Sequence, residues 1–245
     1  MRKLPMGVWL TAVSFFFLTP FPLAAQTQPP LVVGVAGLSA SLIHPFVARD
    51  AGFFQKYGVD TRLVLFEAGT LLAQAALAGE VKISVTSGPV TIASRSAGAD
   101  TIVVAGYINT LPYNLVAAKE ITKLEQLKGK KIAISRFGST TDTAVRLLLE
   151  KVGLNPAKDV TIVQVGSQPT RFQSLVAGAI DATIIAPPFD ITAKKQGYNV
   201  LVNLADLGLP YPQQVIETTD RFIRENPQAV KNFLKGFIAG IHYGL

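Results

Sequence analysis

Cysteine is absent from the chain, and histidine occurs only twice, at His44 and His242. Without a thiol there is no disulfide framework, no Cys-ligated zinc, no iron–sulfur cluster, no Cys nucleophile and no lipid-modified cysteine anchor. Two histidines far apart in sequence do not build a His-rich metal site. Charge is sparse as well: 16% of the 245 residues are Asp, Glu, Lys or Arg, against 49% hydrophobic. That balance belongs to a globular chain and not to a disordered one, and the length suffices for one large or two small domains. No glycine-rich Walker-type lysine motif occurs, so the sequence offers no phosphate-cradling loop of that kind. The formal net charge of +7 is spread along the chain with no basic stripe, which argues against a nucleic-acid partner.

What is present begins with an export signal. Arg2 and Lys3 form a positive start, Val8 to Leu18 is uncharged and mostly apolar, and Pro20 and Pro22 break the run. Leu23-Ala24-Ala25 ends it in small residues suited to cleavage. The run falls short of the roughly 20 apolar residues that a membrane span needs; the alternative is a retained N-terminal anchor. The expectation is a signal over 1–25, cleaved near Ala25, and a mature protein in the periplasm. Loss of Arg2 and Lys3 leaves +5, a modest surplus favouring anionic ligands or membrane proximity.

From there strand-like and helix-like segments alternate. Strands are expected at Leu31–Ala36, Thr61–Phe66, Lys82–Thr86 and, as a buried strand, Thr101–Ala105. Helical character runs over Leu42–Tyr57, Leu71–Ala78 and Pro89–Ala97. The pattern restarts with strands at Lys131–Ser135, Val160–Val165, Ala182–Ile185 and Asn199–Val202. Between them lie helices at Thr140–Val152, Arg171–Ala177 and Pro187–Gln196. Such alternation predicts parallel sheets with helices on both faces. No internal sequence repeat is visible.

Two Pro-containing polar stretches, Asn109–Asn114 and Leu207–Pro212, read as joints: the chain leaves one lobe for a second and later returns. Ligands of such sheets sit at the carboxyl ends of the strands, so the site is expected between the lobes. The last segment is the clearest helix, with Pro227 in its first turn. Val230, Phe233, Leu234, Phe237, Ile238 and Ile241 share one face, expected to be core. Because the chain stops at Leu245, that face is expected to be sparsely covered.

The residues also carry a resemblance. Ala48–Phe54 (AlaArgAspAlaGlyPhePhe) and Lys56–Asp60 (LysTyrGlyValAsp) resemble the opening of the SsuA/THI5-like (NMT1-type) substrate-binding proteins of the nitrate/sulfonate/taurine group. In order there follow Ala76–Val81, Ser96–Asp100, Leu127–Ile132, Arg136–Asp142, Leu175–Ala182 and Arg221–Pro227. Each match is weak alone; their order over nearly all of the mature chain makes the resemblance specific to the family. It implies an α/β, type II periplasmic-binding-protein fold, two lobes joined by two crossovers. Lobe 1 would take 26–110 plus 211–245, and lobe 2 would take 111–210. The family commonly runs on past the point where this chain stops, which implies a truncated C-terminus and an incomplete first lobe.

The function implied is the extracytoplasmic solute-binding component of an ABC importer. It would be a monomer without cofactor or catalysis, docking on a permease driven by a separate ATPase subunit. Its ligand would be a small anion (sulfonates, nitrate, taurine) or a heteroaromatic nutrient. A receptor must bind reversibly, and helix N-termini with small polar loops hold anions without a fixed counter-charge. Loops of that kind follow strands at Gly37–Ser41, with Leu38 and Ser39; at Thr86–Pro89, with Ser87 and Gly88; and at Phe137–Thr141, with Phe137, Gly138, Ser139, Thr140 and Thr141. The bland reading of each is ordinary helix capping. Tyr113 and Phe137 could stack on a ring or belong to core. His44 could reach a ligand near the first helix or lie on the surface, and His242 reads as structural. Gln168 and Pro187 follow second-lobe strands. Arg136 and Arg171 read as solvated or inter-lobe pairs more than as ligand contacts.

Enzymes share this fold. The related pyrimidine synthases of thiamine biosynthesis carry a Cys-rich motif that this chain lacks, and Thr170-Arg171-Phe172 resembles a prephenate dehydratase motif over three residues only. A sensor domain is the third alternative, with no signalling segment in the chain.

Overall fold

The computed structural model describes residues 29–244 other than Leu38, so the expected export signal lies outside the described residues. In chain order the first part comprises β1 (Leu31–Ala36), α1 (His44–Asp50), α2 (Phe53–Lys56), β2 (Thr61–Phe66), α3 (Gly69–Leu77), β3 (Ile83–Thr86), α4 (Gly88–Ser96) and β4 (Thr101–Ile108). The middle comprises β5 (Asn114–Ala117), β6 (Lys131–Ile134), α5 (Thr140–Lys151), β7 (Thr161–Gln164), α6 (Gln168–Val176), β8 (Ala182–Ile185), α7 (Phe189–Lys195) and β9 (Asn199–Asn203). The last part comprises β10 (Gln214–Thr219), α8 (Asp220–Glu225) and α9 (Pro227–Gly244).

These build two five-stranded sheets, ordered β2-β1-β3-β10-β4 and β7-β6-β8-β5-β9. The two orders are one pattern. In each sheet three parallel strands are followed by a strand running against its neighbours and then by an edge strand. The repetition that the residues do not show is present in the topology.

Most expected elements stand within a few residues of their expected ends, and three departures have physical causes. Leu42–Tyr57 is not one helix: it breaks into a 3₁₀ turn, α1 and α2, because Gly52 takes a left-handed φ of 74°. The sheets are not wholly parallel. β5 and β10, which the sequence does not announce, are inserted antiparallel inside their sheets. Each directly follows a crossover and enters its sheet from the opposite end. β4 is no buried strand but an edge, mostly half-buried along its length and with Val103 on the surface.

The crossovers run side by side. Tyr211 N donates to Asn109 O at 3.0 Å and Gln213 N to Ile108 O at 2.9 Å. Each lobe keeps its own core: Val33, Val35, Ile83, Val85 and Ile216 with Phe54, Phe233 and Phe237 in one, and Leu115, Ile132, Ile134, Leu148 and Ile184 in the other. A fully buried side chain of this size contributes about 1.5–3 kcal/mol.

The face of α9 is well covered, against expectation. Phe233 and Phe237 are fully buried, and Phe233 stacks on Phe54 at 4.9 Å. Gly236 and Gly240 let α9 approach so closely that a Cβ would stand 2.7 Å from Phe54 Cδ1 and 2.5 Å from Ala48 Cβ. Ile238, expected on that face, is exposed. Among the described residues no helix is long and apolar enough to cross a membrane.

Candidate functional site

The carboxyl ends of the parallel strands of both sheets face one cleft. It is lined by Ala36, Gly37, Ser39 and Leu42 after β1, Glu67 to Gly69 after β2, and Thr86 and Ser87 after β3. The other wall holds Ser135, Ser139, Thr140 and Thr141 after β6, Gln168 and Arg171 of α6, and Tyr113, Gln213 and Gln214 of the crossovers. About 540 Å³ of unfilled space lies between these groups, part of it open to solvent. The lining is buried yet polar: Ser87, Ser135, Ser139, Thr141, Gln168, Arg171, Gln213 and Gln214 all have little exposure.

Three hydroxyls cluster at the start of α5. Ser135 Oγ donates to Ser139 Oγ at 2.9 Å and lies 2.9 Å from Thr141 Oγ1, which is 3.0 Å from Ser139 Oγ. Ser139 precedes α5 but makes no side-chain capping bond. Its hydroxyl is spent on its neighbours, and the positive end of the helix dipole meets the cleft at this corner. Gly138 N is satisfied by Asp142 Oδ2 at 2.9 Å, and Arg146 in turn holds Asp142 at 2.7 Å. Thr140 Oγ1 donates across the cleft to Ser87 Oγ at 2.8 Å.

Arg171 supplies the buried positive charge. Its side chain is only 2% exposed. Nε donates to Thr183 Oγ1 at 3.1 Å, Nη2 to Ile184 O at 3.0 Å and Nη1 to Gly166 O. These acceptors are all neutral; the ion pairs among the described residues do not include Arg171. Burial depresses its pKa to about 10, so the guanidinium stays charged at neutral pH. The Glu67 carboxylate, which lines the same cleft, offsets part of that burial through its charge without forming an ion pair. A buried cation so incompletely paired is still costly, and an anion in the cleft would relieve more of that cost. Tyr113 accepts from Gln213 Nε2 at 2.9 Å, with burial pushing its hydroxyl pKa up and the Arg171 charge opposing.

Ser39, Ser87, Tyr113, Ser139, Thr140, Thr141 and Gln168, singled out from sequence, line this cleft together. Gln168 also bonds reciprocally with the backbone of Ala186. Others lie elsewhere. The His44 ring stands edge-on to Tyr107 at 5.6 Å and near Phe237, inside the first lobe. Gly88 packs under Pro212, Phe137 is half exposed, and Gly138 forms the turn into α5. The Pro187 carbonyl accepts from Ala40 N at 3.1 Å across the lobes, beside the cis Pro187–Pro188 bond. Leu38 lies outside the described residues. Glu67, Gln213 and Gln214 line the cleft without having stood out in the sequence. Arg136 Nη2 stands 4.0 Å from Glu67 Oε2, an inter-lobe pair.

Residues 40–245 match the family described as NMT1/THI5 like. A Bacillus subtilis (strain 168) protein named for aliphatic-sulfonate binding is 30% identical over 210 residues, covering 82% of this chain and 62% of its own length. The taurine-binding periplasmic protein of Escherichia coli (strain K12) is 28% identical over 194 residues, 77% of this chain and 59% of that one. The chain therefore spans about three-fifths of the length of these relatives. Among solved structures, the alkanesulfonate-binding protein SsuA from Xanthomonas axonopodis pv. citri, bound to MOPS, superposes with a TM-score of 0.75 at 21% identity. That match covers 87% of this chain and 74% of the other, and it shows the fold: that of the periplasmic binding proteins.

Proposed function

The chain belongs to the NMT1/THI5-like family, and from that membership we propose that it is the solute-binding component of an ABC-type importer, taking a small anion between its lobes. One observation carries the choice of anion: Arg171, buried in the cleft wall with neutral acceptors only. The hydroxyl cluster of Ser135, Ser139 and Thr141, bonded mainly within itself, and the start of α5 add uncharged polar groups beside it. Recognition by one fixed cation plus dipoles is strong enough to select and weak enough to release.

The lobes of this reading are 26–110 with 211–245, and 111–210. A ligand touching both favours the closed state by its differential affinity for it, and the paired crossovers absorb the rotation. The closed protein, a monomer acting outside the cytoplasm, hands its ligand to a permease driven by a separate ATPase. No bond of the ligand is made or broken. The names of relatives point to sulfonates and taurine as the first compounds to try.

A thermal-shift screen across alkanesulfonates, nitrate, pyrimidines and aromatic carboxylates tests this reading. Ligand at about 100 times its Kd adds roughly 2.7 kcal/mol to stability, and an organic or inorganic anion should do so. A response to pyrimidines but no anion would overturn the anion assignment. Turnover by the purified protein without a companion would overturn the receptor reading.

A further inference from the structure

Glu67 follows β2 in the first lobe, yet its carboxylate is engaged by the second. Oε1 accepts a hydrogen bond from Ser167 N at 2.8 Å, and Oε2 lies 4.0 Å from Arg136 Nη2. Ser167 is the N-cap of α6, so the carboxylate sits at the positive end of that helix. Gly166 makes the contact possible. Its φ is 100°, and a Cβ there would fall 2.2 Å from Glu67 Oε1, inside the space the carboxylate occupies. Glu67 also stands between two spaces. It lines the inner cleft with Arg171 and Ser139, and an outer recess with Leu65, Phe66, Ser167 and Pro169.

We propose that Glu67 is a positioning residue: a latch by which the protein's own carboxylate seats on the Gly166–Ser167 turn, holds the lobes closed and separates the inner cleft from the outer recess. The Arg136 pair is half exposed on both sides, so solvent screens it and it contributes little. The charge-assisted bond from Ser167 N and the helix end contribute more. Together they shift the closed-to-open ratio by about five- to tenfold. A latch that prepays part of closure raises the apparent affinity of whatever binds the closed state. That consequence for affinity rests on the receptor reading; the closure itself does not.

The test uses the full chain. Because it has no cysteine, spectroscopic labels can be placed through I92C on α4 and I191C on α7, both exposed and on opposite lobes. The inter-label distance distribution is recorded with no ligand added, in the parent and in Glu67→Gln. The latch predicts longer distances in E67Q, with the closed-to-open ratio falling about five- to tenfold, and a change under about twofold in R136Q. G166A, which puts a methyl against the carboxylate, should open the lobes in the same direction, and E67Q on that background should add nothing. Should E67Q fail to fold, Glu67→Ala at this exposed position carries the measurement, without the strain that an alanine takes at the Gly166 φ of 100°. An unchanged distribution in the folded variants overturns the latch. A ligand screen with no response would instead strike the receptor reading and leave the distance result standing.

Discussion

Thr140 Oγ1 and Ser87 Oγ meet at 2.8 Å from opposite walls of the cleft, each beside the start of a helix, α5 and α4. The pair joins the two walls of the cleft through their side chains. Thr140→Val keeps the branched shape and removes the hydroxyl. It should weaken anion binding by about 1 kcal/mol, roughly fivefold in Kd, with the unliganded melting temperature nearly unchanged. Titration calorimetry reads the first and a thermal scan the second. Full affinity in Thr140→Val would remove the pair from the binding surface.

Arg171 should set the pH range of anion binding. Burial lowers its pKa from 12.5 to about 10, so folding disfavours the cation, and deprotonation in the folded state begins well below the unfolded value. A bound anion needs the charged form. Affinity should be flat between about pH 6 and 9 and fall as pH rises through about 10. Arg171→Gln should cost at least about a hundredfold in Kd, the scale of losing a buried charge-assisted contact. Calorimetry across that range with a permanently charged sulfonate checks both, and a pH-independent Kd to 10.5 would remove Arg171 from recognition.

Thr140 and Arg171 are not equally legible in the sequence. Thr140 follows a strand and opens an apolar-faced helix, so its place at a strand's carboxyl end could be read from spacing. Arg171 sits on a helix whose pattern looks merely amphipathic. Only the fold shows that its guanidinium is turned inward to Thr183 and Ile184. Glu67 carries no signal in the sequence, because its partner, Ser167, is a hundred positions away. Gln213 and Gln214 lie just past Pro212, where the joint read as Leu207–Pro212 ends and β10 begins. β5 and β10 escaped for the same reason: a short strand after a proline-containing crossover has no room for its own periodicity. His44 erred the other way. It adjoins the first loop in sequence, but α1 directs its ring to Tyr107 and Phe237.

Glu217 gives the protein a stability cost at neutral pH. It is 1% exposed on β10, opposite Ser84 of β3. Burial raises its carboxyl pKa above 4.5, with the hydroxyls of Thr91 and Ser84 opposing. The raised value means that folding favours the protonated acid. That contribution is complete below pH 4.5 and is lost as pH climbs through the raised pKa. Glu217→Gln should therefore be more stable than the parent at pH 7, by about 1–3 kcal/mol, and the gain should shrink towards pH 4. Urea unfolding at the two pH values measures it; a variant less stable at pH 7 would mean the carboxylate is better solvated than its burial implies.

Gly240 decides how α9 seats. A Cβ there would lie 2.5 Å from Ala48 Cβ, 2.8 Å from Ala48 Cα and 3.0 Å from its N, so the obstruction is mostly backbone of α1 and cannot swing aside. Gly240→Leu must push α9 off α1 and loosen the Phe54–Phe233 stack beneath it. The cost should be about 2–4 kcal/mol, at the upper end of overpacking penalties because backbone has to move. Ile238→Ala, on the exposed side of the same helix, should stay within about 0.5 kcal/mol. Ala48→Gly in the Gly240→Ala background should recover part of the loss, since it clears the Cβ that the added methyl meets first. Denaturant unfolding of the set separates close packing from helix propensity. Propensity alone would make Gly240→Ala stabilising by up to about 1 kcal/mol, the opposite sign to the packing prediction.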